Sequence, residues 1–480
     1  MSWLTTRHRL TLTALILVLL SIVRGSPTGI KAEDCHEETS EQIHSWTTSY
    51  GGPDEEQLWS MEHTSDGGHA VIGWSKSFAG NGCAIWVLKL RANGTIQWQK
   101  TYGEWWELGE SIKQTTDGGY ALAGYTWSFG AGESDYWVLR LNGDGSVQWQ
   151  KTYGGKAEDQ ATSLQCTSDG GYIVAGETES YGAGDWDIWI VKLSASGTVQ
   201  WQKTYGGQGT DTSSAEPIQQ TSDGGYVVTG QTNSFGSGQG DFWVLKLDAD
   251  GAVQWEKTYG GEEDEYARSI RQTSDGGYVV TGYARSFGAG NWDVWVLKLD
   301  GDGVIQWQNA YGGTEWEFAY SIEHTSDGGY VFGGETKSYG AGSDDVWVVK
   351  LRANGDIQWE RTFGGLESDF GCAIREAADG GYVVGAATES FGLGEDDFWV
   401  LKLDRGGRVP GCPFTGTSSA TVTSTDAAGV DSVAQVFDSQ ARVSSTFITP
   451  LNSQASGRRQ CYCETAAHLV HMPLILRAYR

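Results

Sequence analysis

Residues Thr221–Gly261 read TSDGGYVVTGQTNSFGSGQGDFWVLKLDADGAVQWEKTYGG. Close copies of this stretch fill most of the chain at a period near 52 residues, the mark of a repeat architecture. Within each copy, Gly-rich turns separate short runs of Tyr, Val and Trp, the pattern of antiparallel strands joined by tight hairpins. The run Asp293–Leu299 sets Trp, Leu and Leu against Val, Val and Lys, a period of two that gives a strand two different faces.

Three markers each occur seven times. The Trp of the QWxKTYGG segment falls at Trp46, Trp98, Trp149, Trp201, Trp255, Trp307 and Trp359. The Asp of the DGG turn falls at Asp66, Asp117, Asp169, Asp223, Asp275, Asp327 and Asp379, and the Trp of WVLKL at Trp86, Trp137, Trp189, Trp243, Trp295, Trp347 and Trp399. Four short strands per unit, repeated radially, describe a propeller blade. The first Trp-strand, at Trp46, has no WVLKL strand before it, and the last WVLKL strand, Trp399 to Leu403, has no Trp-strand after it. Joined, the two halves complete a blade and leave no bare sheet edge. The expected fold is therefore all-β: a seven-bladed β-propeller of four-stranded antiparallel blades over residues 43–412, closed by the N-terminal strand completing the last blade.

Composition agrees. The 480 residues include 69 Gly, 23 Trp and 21 Tyr, too aromatic for a disordered chain. A net charge of −28 repels phosphates and argues against nucleic acid as a partner. Arg7 and Arg9 precede the apolar run Leu10 to Val23, so residues 1–25 read as a signal peptide. Its removal takes the charge to about −31 and leaves no transmembrane span. A lead, 26–42, precedes the propeller. Residues 413–457 are rich in Ser, Thr and Ala and read as a spacer or small appendage, and 458–480 as a Cys-containing tail, a candidate sorting segment. The expected product is a secreted or cell-surface monomer.

Of seven cysteines, Cys35 and Cys412 flank the composite blade, so a Cys35–Cys412 bond would fasten the ring; Cys461 and Cys463 are the competing partners for Cys412. No zinc spacing and no loop with Ca²⁺ ligands at alternate positions occurs, so no cofactor is expected; Ca²⁺ on carboxylate pairs is the alternative, with no motif behind it.

Repetition also sorts residues by role. What recurs in every blade is frame; function is expected where blades differ. From the DGG Asp to the next WVLKL Trp the separation is always 20, and from there to the next QW Trp always 12. From QW Trp to DGG Asp it runs 20, 19, 20, 22, 20, 20, 20, which assigns all length variation to the loop entering each blade. That loop shares a face with the one joining the second and third strands. The candidate ligand residues on this face are aromatic and acidic: Trp59, Trp105, Trp106, Trp127, Trp186, Trp292 and Trp316, with Glu107, Asp159, Asp264, Glu317 and Asp369. Tryptophan beside carboxylates suits a sugar, whose pyranose face stacks on the ring while its hydroxyls bond the carboxylates. The reading is a binding module for a surface glycan or protein ligand. The alternative is a glycan-degrading hydrolase using two loop carboxylates.

The pattern TSDGGYVV…SFGAG…DxWVLKLDxxGxVQWxKTYGG resembles a family of exported bacterial and archaeal repeat proteins, some carrying lipoprotein or endoglucanase-like labels. The resemblance runs from Trp46 to about Phe414. It implies a surface or secreted propeller and brings no catalytic residues with it. Leu247–Trp255 also resembles the tryptophan-docking repeat of quinoprotein dehydrogenases, whose propellers usually have eight blades and often an adjacent cysteine pair; this chain has seven units and no Cys-Cys.

Overall fold

The computed structural model describes residues 45–462 except 104, 214, 426, 428–429, 432–434, 439–441 and 446–455. Among these residues there is no helix, and the strands form seven sheets. Each sheet is built on four antiparallel strands, and the whole is a seven-bladed β-propeller. Blade 1 begins at the inner strand Glu56–His63, blade 2 at Glu107–Gln114, blade 3 at Asp159–Cys166, blade 5 at Glu265–Gln272, blade 6 at Glu317–His324 and blade 7 at Asp369–Glu376. In blade 4 the inner strand is split into Asp211–Thr212 and Ile218–Gln220. Blade 7 is the composite: Trp46–Gly51 pairs with Asp397–Leu403, Trp46 opposite Lys402 and Tyr50 opposite Phe398.

The repeated residues hold neighbouring blades together. Seven apolar clusters each span two adjacent blades, and the cluster of Trp46, Leu58, Met61, Trp86, Val383 and Phe398 joins blade 7 to blade 1. Each WVLKL Trp is fully buried there. The QW Trp reaches the turn of the next blade: the Trp98 indole donates to the Gly143 carbonyl at 3.0 Å and Trp255 to Gly301 at 3.1 Å. The following Tyr does the same, Tyr102 to Gly145 at 2.7 Å and Tyr259 to Gly303 at 2.6 Å. Gly303 has φ +75°, and a Cβ there would stand 2.9 Å from the Trp255 ring, so both backbone and neighbour demand glycine. Inside each blade the WVLKL cation closes the DGG hairpin: Lys89 lies 2.9 Å from Asp66, and Arg140 replaces lysine against Asp117.

The stretch after Phe414 does not stand apart. Thr415–Gly416, Thr421–Ser424, Val430–Asp431, Gln435–Asp438, Arg442–Ser445 and Ser456–Tyr462 add a fifth antiparallel strand to blades 6, 5, 4, 3, 2 and 7 in turn. The chain thus runs backward around the rim as a belt. Thr415, Val422, Val436, Val443 and Gly457 sit opposite Phe363, Tyr311, Tyr205, Tyr153 and Tyr50, always multiples of seven residues apart. The sequence carries the same period, in Ser418, Thr425, Ser432, Ser439, Thr446 and Ser453 and in Ala420, Ala427, Ala434, Ala441 and Ala455. Ser418 Oγ accepts from the buried Trp347 indole at 2.8 Å, and Thr425 Oγ1 from Trp295 at 3.0 Å. The described parts of 413–457, read from sequence as a spacer or small appendage, are thus strands paired to the propeller's outer edges. Edge pairing uses main-chain groups, so a Ser/Thr/Ala-rich strand needs little apolar surface to add to a sheet.

Cys412 is disulfide-bonded, while Cys83 and Cys166 are free. Cys35 and Cys463 lie outside the described residues, as do the signal peptide and lead; Cys461 is a strand residue opposite Thr47.

If the belt seals the rim, ending the chain after Phe414 will lower the melting midpoint by at least about 5 °C and cause concentration-dependent association through bare edges. Thermal unfolding and light scattering check this; an unchanged midpoint with a monomeric product would contradict it.

Candidate functional site

The loop entering each blade and the loop joining its second and third strands lie together on one face. The Trp105 carbonyl accepts from the Cys83 amide at 3.1 Å, the Cys83 carbonyl from the Glu107 amide at 3.1 Å, and the Trp292 carbonyl from the Glu317 amide at 2.9 Å.

The acidic candidates at blade entry turn inward. Glu107, Asp159, Glu317 and Asp369 are fully buried, as are their counterparts Glu56, Asp211 and Glu265. Their oxygens receive loop amides and hydroxyls: Asp159 from the Gly155 amide at 2.7 Å and Ser180 at 2.8 Å, Glu317 from Gly313 at 2.7 Å and Thr336 at 3.0 Å. Asp369 takes the Gly365 amide at 2.8 Å, and Glu107 the Trp105 amide at 3.2 Å. They pin the loops that carry the exposed residues. Asp264 is half-buried, and its carbonyl accepts from the Arg285 amide.

The tryptophans fall in four places. Trp59 belongs to the inner strand of blade 1, not to the preceding loop, and lines the central channel. Trp105 is 59% exposed; beside it Trp106 meets Trp127 edge-on at 6.4 Å, and Trp127 meets Tyr125 at 5.2 Å. Across the face, Trp292 packs on Tyr266 and Tyr283, and Trp316 on Phe318 with the Lys337 ammonium 5.1 Å above its ring. Trp186 is half-buried, its carbonyl held by the Asp211 amide.

A cavity of about 390 Å³ occupies the channel mouth. Its wall is the fourth position of successive inner strands: Trp59, Glu110, Thr162, Arg268 and Tyr320. Gln57, Gln160 and Phe370, from the second position, line it too, as do Tyr125 and Glu177 from neighbouring strands. Of the twelve ligand residues read from sequence, Trp59 alone lines this cavity. The missed residues carry a sequence signal nonetheless. The inner strands keep Asp or Glu first and Ser or Ala fifth in the six unbroken copies, while the second, fourth and seventh positions change from blade to blade.

Electrostatics set the cavity apart. Burial, reinforced by Glu177, pushes the Glu110 carboxyl up to about 8. Burial pushes Glu177 up to about 7 against a Ser213 amide and Arg268, and Glu335 to about 7 despite the Tyr320 hydroxyl that donates to it at 3.0 Å. Beneath lies an ion-pair floor. Glu216 pairs with Arg271 and Arg375 and accepts from Ser321 at 3.1 Å; Arg375 also reaches Glu323 at 3.1 Å, and Lys113 reaches Glu62 at 3.0 Å. Burial alone would raise the Glu216 carboxyl, but the two guanidinium groups hold it well below the usual carboxylate range.

Glu216 comes from the longest QW-to-DGG spacing, which corrects the assignment of all length variation to a loop. Gly207 and Asp211 are spaced as Gly155 and Asp159 are, so the loop entering blade 4 has ordinary length. The two extra residues interrupt the strand itself, where Ala215 takes φ +65° and the chain bulges into the channel. The shortening before blade 2 does lie in the loop, at Gly103–Trp106.

The two carboxyl groups have opposite pH signatures. A carboxyl raised in the fold supports stability fully below its unfolded value of 4.5, and that support is lost as pH rises through about 8. Glu110→Gln, which fixes the neutral form, is expected to match the wild type near pH 4 and exceed it above pH 8 by on the order of 3 kcal/mol. Glu216→Gln leaves two buried guanidinium groups to share Glu323 alone and should cost about 3 kcal/mol at pH 7. Denaturant unfolding across this range checks both; a pH-independent difference for Glu110→Gln would refute the assignment.

No known protein-family model matches the chain, and a comparison with curated proteins finds no match.

Proposed function

We propose that the chain is a secreted or cell-surface binding module that takes a carbohydrate into the channel mouth from the loop face. One observation carries this reading: a 390 Å³ cavity that sets the rings of Trp59, Tyr125, Tyr320 and Phe370 among Gln57, Gln160, Thr162 and Glu110. Sugars present an apolar ring face and a rim of hydroxyls, and a pocket of this size with interleaved rings and hydrogen-bonding groups answers both. Trp105, Trp106 and Trp316 are exposed on the surrounding face and would extend contact to a longer chain. The leader-like run Leu10 to Val23 supports an extracellular setting.

The hydrolase reading has one observation in its favour. Glu110 and Glu177 interact and both are held up near neutrality, the condition a general acid requires.

Calorimetric titration with soluble oligosaccharides tests the proposal. Trp59→Ala is expected to weaken the ligand by about tenfold and Trp105→Ala/Trp106→Ala to affect long oligomers more than short ones. Failure of every oligosaccharide to bind, or binding indifferent to Trp59, would overturn it. Reducing-sugar release that disappears in Glu110→Gln would move the assignment to a hydrolase.

A further inference from the structure

Glu110 stands out among the channel groups. It is half-buried in the cavity wall, and among the described residues it has neither a hydrogen-bond nor an ion-pair partner; the one charged group acting on it is another carboxyl, Glu177. Three other carboxylates of the channel are answered. Glu216 has two arginines, Glu62 has Lys113 and Glu335 has Tyr320. An acid set in a cavity wall without a partner is costly to ionise, so a fold that keeps one in a ligand-sized cavity leaves a place for a cation brought from outside.

We propose that the cavity selects a sugar unit bearing a free primary amine, with Glu110 and Glu177 receiving its ammonium group and Trp59 lining the same cavity beside its ring. This rests on the carbohydrate reading above and narrows it. Charge elsewhere points the same way. The loops around the mouth expose Asp54, Glu133, Glu179, Glu262, Glu263 and Glu315, and the chain carries −28 overall, so a cation is drawn toward this face.

The charged and titratable groups packed around Glu110 fix where the amine sits. Tyr125 and Glu177 lie on its own side, with Glu158 acting on Glu177. Arg268 stands in the opposite wall, held by the Tyr283 hydroxyl and facing Tyr320 and Glu335. Glu216 lies below, already neutralised by Arg271 and Arg375. The ammonium is thus directed to the wall of blades 2 and 3, away from Arg268. Binding converts the neutral Glu110 acid to a carboxylate paired with the ligand, so a proton passes from Glu110 to the buffer.

The test titrates the full chain at pH 5.5, where the amine arrives as ammonium and the raised Glu110 carboxyl is still neutral, with matched oligomers of glucosamine, N-acetylglucosamine and glucose. The glucosamine oligomer is expected to bind at least about tenfold more tightly than the other two. Its binding heat should vary with the buffer's ionisation enthalpy, reporting proton release. Glu110→Gln should remove both the preference and the proton release. Thermal melting of this variant, expected to be no less stable than wild type, separates a lost receptor from a lost fold. Equal affinity for all three oligomers, or a preference that survives in Glu110→Gln, overturns amine selection while the carbohydrate reading stands. Binding of none of them overturns both.

Discussion

Every sheet in this protein has an outer edge of main-chain donors and acceptors, and the architecture follows from satisfying those edges. The ring brings all inner strands to a common axis. The strand Trp46–Gly51 completes the last blade from the other end of the sequence, so the two chain halves are joined by a ladder of hydrogen bonds as well as by packing. Among the described residues, the belt then pairs with the outermost strands of six blades. Neither device depends on an apolar side chain of its own, and both work because strand addition is a main-chain interaction.

With the frame secured by repeated contacts, the channel is free to differ from blade to blade. A WVLKL Trp or a turn Gly is held by neighbours on all sides and must recur. A fourth-position residue of an inner strand faces the channel and touches no repeated group, so it can be Trp59 in one blade, Glu110 in the next and Arg268 three blades further on. The bulge at Ala215–Glu216 uses that freedom most fully. Two inserted residues, accommodated by one strained backbone position, supply the carboxylate around which the charged floor of the channel is organised.

The fold was legible in the sequence because its determinants are periodic: turn glycines, alternating strands, and a count of half-units that closes at seven. The site was legible only in part. Trp59 could be singled out as a departure from the repeat, yet spacing alone placed it in a loop, since distances between markers do not say where within a segment a strand begins. The same ambiguity sent the inserted pair of blade 4 to the surface. Acidic residues at blade entry looked like ligand groups because sequence shows their charge and not their partners; the amides of Gly155, Gly313 and Gly365 turn out to claim them. The belt escaped notice for a different reason. Its seven-residue period is present in Ser418, Thr425 and their successors, but strand addition by a polar segment leaves no hydrophobic alternation to read.

The central claim is that function resides in the channel residues that differ between blades, on a frame built from those that do not. Hydrogen–deuterium exchange of the whole chain, with and without a bound oligosaccharide, tests it directly. The account predicts added protection in the peptides that carry 56–63, 107–114 and 265–272, with the QW strands and the rim belt unchanged. Protection confined to the rim strands, or spread equally over all seven copies of one repeated segment, would contradict it.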